Sequence, residues 1–214
     1  MSDGAEDDLS RRTTGTSVGR LLAFSDGVFA IAFTILVLDL VVPDNLSADA
    51  LPGALSHLTP QLLSAVLSFA VIGRFWLAHH RLYDHIGAAD HVLLVLNTIL
   101  LAPIALIPFG AGLLADYGGV PIAVIVYAVV VGAVALMQLV VWLWAGRRQL
   151  IDGHLSEQQR LRTTFGLAGA ALAFLVSIPV APLSPTAAEL CWIIAVVPTD
   201  RLADSWLRRR RAVA

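Results

Sequence analysis

The stretch 20-RLLAFSDGVFAIAFTILVLDLVVP-43 decides the fold. From Leu21 to Val42 it is apolar apart from a few residues. A helix rising about 1.5 Å per residue needs about 20 such residues to cross bilayer hydrocarbon. The run is too long for the core of a signal peptide, and the preceding MSDGAEDDLS is acidic rather than basic, so it reads as a retained membrane span. Arg20, Ser25 and Asp26 stand in its first two turns. Polar and ionisable side chains at that depth are costly unless they face protein or water and find partners.

Outward from this segment the same character holds. Of the 214 residues 57% are hydrophobic and 14% charged, where a soluble domain has about a quarter charged. Six apolar stretches stand out: Leu21–Val42, Leu58–Ala78, His91–Leu114, Val120–Ala145, Thr164–Ala181 and Ala187–Pro198. The last crosses only if it continues to about Ala203. Lipid leaves no backbone group to water, so the expected fold is all-α, a polytopic membrane protein of six transmembrane helices.

The 14 cations are all arginines, and they are sorted. Arg11, Arg12 and Arg20 precede the first span; Arg74 and Arg81 lie near the end of the second; Arg147, Arg148, Arg160 and Arg162 follow the fourth; Arg201 and Arg208 to Arg211 follow the sixth. The loops after spans one, three and five carry none. An even number of spans puts every arginine on one side, and the positive-inside rule makes that side, with both termini, cytoplasmic. The expected organisation is a cytoplasmic, disordered tail over residues 1–19, a membrane domain over 20–205, and a basic cytoplasmic tail over 206–214.

Several classes of function are excluded or disfavoured. No glycine-rich nucleotide turn is present, so the chain cannot couple transport to ATP by itself. The outer loops, PDNLSADALPGALSH, DYGGVP and PLSPT, are too short to build a domain. Cys191 is the one cysteine and has no companion for a disulfide or a CxxC site. His79 and His80 are adjacent, so they diverge by about 100° on a helix, and His85 has no acidic cluster beside it. No enzymatic site and no cofactor are expected.

Advancing 100° per residue from Ile31, the side chains of Gly27, Thr34, Ile35 and Leu38 fall within about 60° of it, and Phe24 and Arg20 continue the stripe. Ser25 and Asp26 point more than about 100° away. One face is therefore an apolar column, and the other carries a hydroxyl and a carboxylate. Partners available to Asp26 at its level are Arg20, Arg74, Trp76, His79, His80 and Arg81.

Arg20, Phe24, Ser25 and Asp26 form R-x-x-x-F-S-D, followed by GVFAIAFTILVLDLVVP. This resembles the first transmembrane helix of bacterial members of the transmembrane protein 175 family, potassium channels that lack a TVGYG filter. FWLAHHRLYDHI and LNTILLAPIALIPF resemble that family's second and third helices. The resemblance implies a homotetramer in a bacterial cell membrane, with four copies of the first helix around a central pore. Ile31 matches the family's constricting isoleucine, Ile35 and Leu38 would be further apolar rings, and Thr34 matches a pore-facing threonine tied to potassium preference. Arg20, Phe24, Ser25 and Asp26 would brace the inner end of the pore helix. Trp76, His79 and His80 resemble the family's inter-helix network, without a sign of which histidine serves. K+ and other monovalent cations would be the permeant species.

An apolar neck of this kind gates by dewetting, and without a carbonyl cage it should prefer potassium only modestly. Asp26, Asp39 and Asp44 at the mouths would favour cations. The alternative is a proton-coupled transporter or proton channel using Asp26 and the histidines of span two, since imidazoles titrate near neutral pH.

Overall fold

The structure, a computed structural model, describes residues 3–38 and 40–196, with side chains over 18–38 and 40–192. Asp39, the extension of the sixth span beyond Val196, Arg201, Arg208 to Arg211 and the tail at 206–214 lie outside the described residues, as do the side chains of Arg11 and Arg12.

The described chain is helical, in the order α1 (Asp3–Ile35), α2 (Leu51–His57), α3 (Thr59–Tyr83), α4 (His91–Tyr117), α5 (Pro121–Arg147), α6 (Glu157–Val180) and α7 (Pro185–Val196). Five of these helices, α1 and α3 to α6, are long and apolar enough to cross a bilayer. The sixth apolar stretch is α7, 12 residues as described and shorter than a span.

Local chemistry sets most helix starts. Asp90 accepts from Leu93 N at 2.7 Å and caps α4. Pro121 opens α5 at a position whose N–H would have no helical partner. Ser156 and Gln159 form a reciprocal capping box at α6, so this helix begins at Glu157, about two turns before the expected Thr164. The polar loop ends in helix because its own side chains satisfy the first backbone donors. Pro103, Pro108 and Pro179 lie inside helices that continue through them.

Two boundaries of α1 differ from the sequence expectation. Its backbone is helical from Asp3, where a disordered tail over 1–19 was expected. At the other end the helix stops at Ile35, not Val42. Beyond it the backbone tightens into i to i+3 bonds, Val37 N to Thr34 O at 3.3 Å, Leu38 N to Ile35 O at 3.0 Å and Leu40 N to Val37 O at 3.1 Å. Apolarity alone says that LVLDLVV stays out of water; it does not say that the segment stays α-helical.

α5 is the most enclosed span, packed between α4 and α6, while α1 lies against α3 and α4 and α7 against α6. The core includes Phe29, Ile72, Ile104, Tyr127, Val131, Phe174 and Trp192. Its polar atoms are paired across helices: Ser68 Oγ meets Tyr127 OH at 3.0 Å, Gln138 Nε2 donates to Phe75 O at 2.8 Å, and Trp192 Nε1 donates to Ser177 Oγ at 2.9 Å. In lipid, where apolar burial drives little, such bonds and close packing hold helices together.

The loops after α3 and α5 meet at one end of the bundle. Ile86 pairs with Ile151, Gly87 N donates to Leu150 O at 3.0 Å, and Asp152 N donates to His85 O at 2.9 Å. Trp144 Nε1 lies 3.2 Å from Asp90 Oδ2, and Arg148 Nε lies 3.6 Å from the same oxygen. This end also carries Arg81, Arg147, Arg160 and Arg162 near helix termini, and Arg20, within α1, stands next to Leu21, which packs in the same cluster as Ile86 and Ile151.

Candidate functional site

α1 has two faces with opposite surroundings. Val18, Leu21, Ser25, Phe29, Ala32 and Leu36 are buried against the subunit, at spacings of three and four that make one stripe. The opposite stripe is uncovered. Ile31 is 59% exposed and Leu38 71%, with Phe24 and Ile35 also exposed. Arg20, Gly27 and Thr34 lie open on the same side. The column picked out by angle is thus the face that the subunit leaves free, although Leu38 sits in the turn beyond the helix rather than on it. Thr34 Oγ1 donates back to Ile31 O at 2.9 Å.

The polar trio divides. Ser25, fully buried, donates to Leu21 O at 2.9 Å and accepts from Asn97 Nδ2 at 2.9 Å. Asp26 Oδ1 accepts from Trp76 Nε1 at 2.9 Å. Arg20 and Phe24 are exposed and lie on the open face, away from this cluster. Arg20 is therefore placed on the apolar stripe's inner extension, not beside Asp26, because five residues separate it angularly from Ser25 by about 140°.

Asn97 is the hub. Its Oδ1 accepts from Tyr83 OH at 3.0 Å and lies 2.9 Å from His79 Nε2. A carbonyl oxygen can only accept, so with this amide orientation Nε2 carries the hydrogen. His79 Nδ1 is buried and finds no hydrogen-bond partner among the described residues. The imidazole is boxed by Phe29, at 5.5 Å edge-on, and by Tyr83, at 4.6 Å between ring centroids. His79 is thus the histidine of the inter-helix cluster. His80 is exposed and touches the cluster's edge only by its ring contact to Trp76, at 5.8 Å between centroids.

Three helices therefore meet through two adjacent sets of hydrogen bonds, one centred on Asn97 and one between Asp26 and Trp76. Ser25 and Asp26 come from α1, Trp76, His79 and Tyr83 from α3, and Asn97 from α4. Sequence reasoning missed Asn97 and Tyr83. A lone amide in an apolar span was the available signal for Asn97, since such a group requires an interhelical partner. Among the described residues no three His, Cys, Asp or Glu side chains are placed to hold a metal ion.

A bundle of membrane-length helices with a polar cluster anchoring one helix, and with that helix's far face uncovered, defines a polytopic α-helical membrane protein. The family model described as "Endosomal/lysosomal potassium channel TMEM175" matches residues 20–108. A potassium channel of Streptomyces collinus is 34% identical over 176 residues, 78% of this chain and 85% of that protein. The chain belongs to the TMEM175 family. The crystal structure of a lysosomal potassium-selective channel TMEM175 homolog from Chamaesiphon minutus matches at a TM-score of 0.74 and 30% identity, covering 85% of this chain and 95% of that one. The endosomal/lysosomal proton channel TMEM175 of Homo sapiens is 40% identical over 97 residues, 42% of this chain and 19% of that protein.

Proposed function

We propose that this chain forms a potassium-permeable cation channel, a homotetramer whose pore is lined by α1. The observation that carries the reading is the uncovered apolar stripe of α1 opposite a deeply buried one. Lipid contact alone would not require the rest of the helix to be pinned so specifically, by Ser25 and Asp26, onto α3 and α4. In this reading Ile31 forms the narrowest ring and Ile35 and Leu38 the rings beyond it. Four such side chains around an axis make a neck that sheds water and blocks ions until the helices rotate or spread. Thr34 faces the path beside them. Ser25, Asp26, Trp76, His79 and Asn97 fix the inner half of α1, so that movement is confined to its outer part. With its arginines sorted in sequence to one side of the spans, the chain sits in a bacterial cell membrane with both termini cytoplasmic.

Replacing Ile31 by Asn tests the neck. A polar ring stays wetted, so potassium current through reconstituted protein should rise severalfold and its closed time should shorten. Conductance and selectivity equal to those of the parent protein would remove Ile31 from the path.

A second reading, proton permeation, rests on His79. Its Nδ1 is buried without a partner among the described residues, inside a cluster that also holds a carboxylate, Asp26. Liposome flux separates the two. A channel for potassium passes current in a potassium gradient at uniform pH, whereas proton permeation gives a reversal potential that follows the pH gradient and is lost in His79→Gln.

A further inference from the structure

The last attachment of α1 to the subunit is a single side chain. Leu36, the first residue past the α-helix, is 4% exposed and belongs to the same core as Phe29 and Ala32. Beyond it no described side chain from 37 to 63 is buried. The contact before it, Phe33 against Phe69 at 4.5 Å between ring centroids, lies inside the helix. The turn that follows is held by i to i+3 bonds, whose geometry is poorer than that of α-helical ones. Ile35 stands immediately before Leu36 and Leu38 two residues after it, both exposed. With Leu36 turned into the core, both are turned out.

The seat that receives Leu36 is loosely filled. Leu36 borders a cavity of about 20 Å³ whose other walls are Gln61 and Ala65 of α3 and Ala111, Gly112 and Ala115 of α4. Four of these five neighbours have no side chain larger than a methyl, so none of the four interlocks with the leucine. The space is enough for one water-sized group, which needs about 10–15 Å³. Protein interiors leave few such voids. The oxygen Oε1 of Gln61 is buried without a hydrogen-bond partner among the described residues, so the polar packing here is incomplete as well. Leu36 is thus restrained by burial alone, in a seat from which a small movement breaks no hydrogen bond of its side chain.

We propose that Leu36 is the positioning residue of the outer rings: its seat between α3 and α4 holds the end of α1 so that Ile35 and Leu38 keep their outward direction. Its effect on current rests on the pore reading, whereas its hold on the backbone does not. The side chain itself stays out of the ion path.

Two readouts test this on the full-length protein reconstituted in lipid. Amide hydrogen exchange compares residues 35–41 with residues 22–30, which the Ser25 and Asp26 contacts fix. Leu36→Ala should speed exchange over 35–41 about tenfold, as expected for a locally released segment, and leave 22–30 as in the parent. In potassium-current recordings the open fraction of Leu36→Ala should rise at least threefold, and Leu36→Met, which keeps the volume, should return both readouts to the parent's. Val131→Ala, buried on α5 between α4 and α6, removes core packing elsewhere and should move neither. Leu36→Val gives a smaller change of the same sign and serves where the alanine variant fails to fold. Unchanged exchange over 35–41 overturns the proposal, as does equal acceleration over 22–30, which would mean general loosening. A response of the open fraction to Val131→Ala equal to that of Leu36→Ala also overturns it. Current that responds to Ile31→Asn and not to Leu36→Ala faults this inference alone; current that responds to neither faults the pore reading and this inference with it.

Discussion

Asn97 is the residue whose removal tests the architecture most sharply. It is 2% exposed and makes three hydrogen bonds, to Ser25, His79 and Tyr83, joining α1, α3 and α4. Asn97→Leu preserves approximate volume and apolar character, so the loss is almost purely polar. Ser25 keeps its bond to Leu21 O and forfeits only an acceptor role. Tyr83 OH and the His79 Nε2 hydrogen are left buried without an acceptor. Interhelical hydrogen bonds in membranes average about 0.6 kcal/mol, so three give about 2 kcal/mol. Two stranded donors at about 1–3 kcal/mol each set an upper figure of about 6 kcal/mol. The expected destabilisation is about 2–4 kcal/mol. It is measured by denaturant-induced unfolding of the purified protein in detergent, followed by tryptophan fluorescence. Thr98→Ala is the internal comparison. Thr98 neighbours Asn97, is exposed, and bonds only to Leu94 O of its own helix, so its loss should stay within about 0.5 kcal/mol. A double-mutant cycle with Ser25→Ala should show coupling of about 0.5–1.5 kcal/mol. If Asn97→Leu costs no more than Thr98→Ala, the cluster does not hold the three helices together.

Other consequences follow from named contacts. Trp76→Phe keeps an aromatic ring and removes the N–H that Asp26 accepts, so stability should fall by about 1.5–3 kcal/mol, the range for a bond to a charged group, and the same unfolding assay reads it. Asp26→Asn, which still offers an acceptor to Trp76, should lose less than Asp26→Ala in the yield of folded oligomer on size-exclusion chromatography. Asp90→Ala removes the cap of α4 together with the acceptor of Trp144 and the partner of Arg148, and should cost about 1–2 kcal/mol. Asp90→Asn should recover the capping share of that loss.

The span layout was legible because membrane helices announce themselves by length and apolarity. The two faces of α1 were legible for a different reason: helical geometry alone separates Ile31 from Ser25, and Phe29, Ala32 and Leu36 complete the buried stripe at the same period. The choice of partner within the polar cluster was not legible. His79 and His80 are chemically identical, and only packing decides which turns toward Asn97. The end of α1 at Ile35 was hidden because the residues after it are as apolar as those before. The start of α6 was in principle visible, since Ser156-Glu-Gln-Gln159 is a capping-box pattern, but it lies in a loop whose polarity masks helix. Arg20 was grouped with Ser25 and Asp26 by the resemblance of the motif, while helical angle already set it on the Ile31 stripe, and it lies exposed there.

The central claim, that α1 lines an ion path at Ile31, is reached most directly through a single engineered thiol. Cys191 is the chain's only cysteine, so a Cys191→Ala background leaves no other target. In that background Ile31→Cys and, as a control, Leu175→Cys on the exposed side of α6 are reconstituted in bilayers, and potassium current is recorded before and after a small cationic thiol reagent. The account predicts a large change in current for Ile31→Cys and none for Leu175→Cys. Unchanged current after complete modification of Ile31→Cys would contradict it.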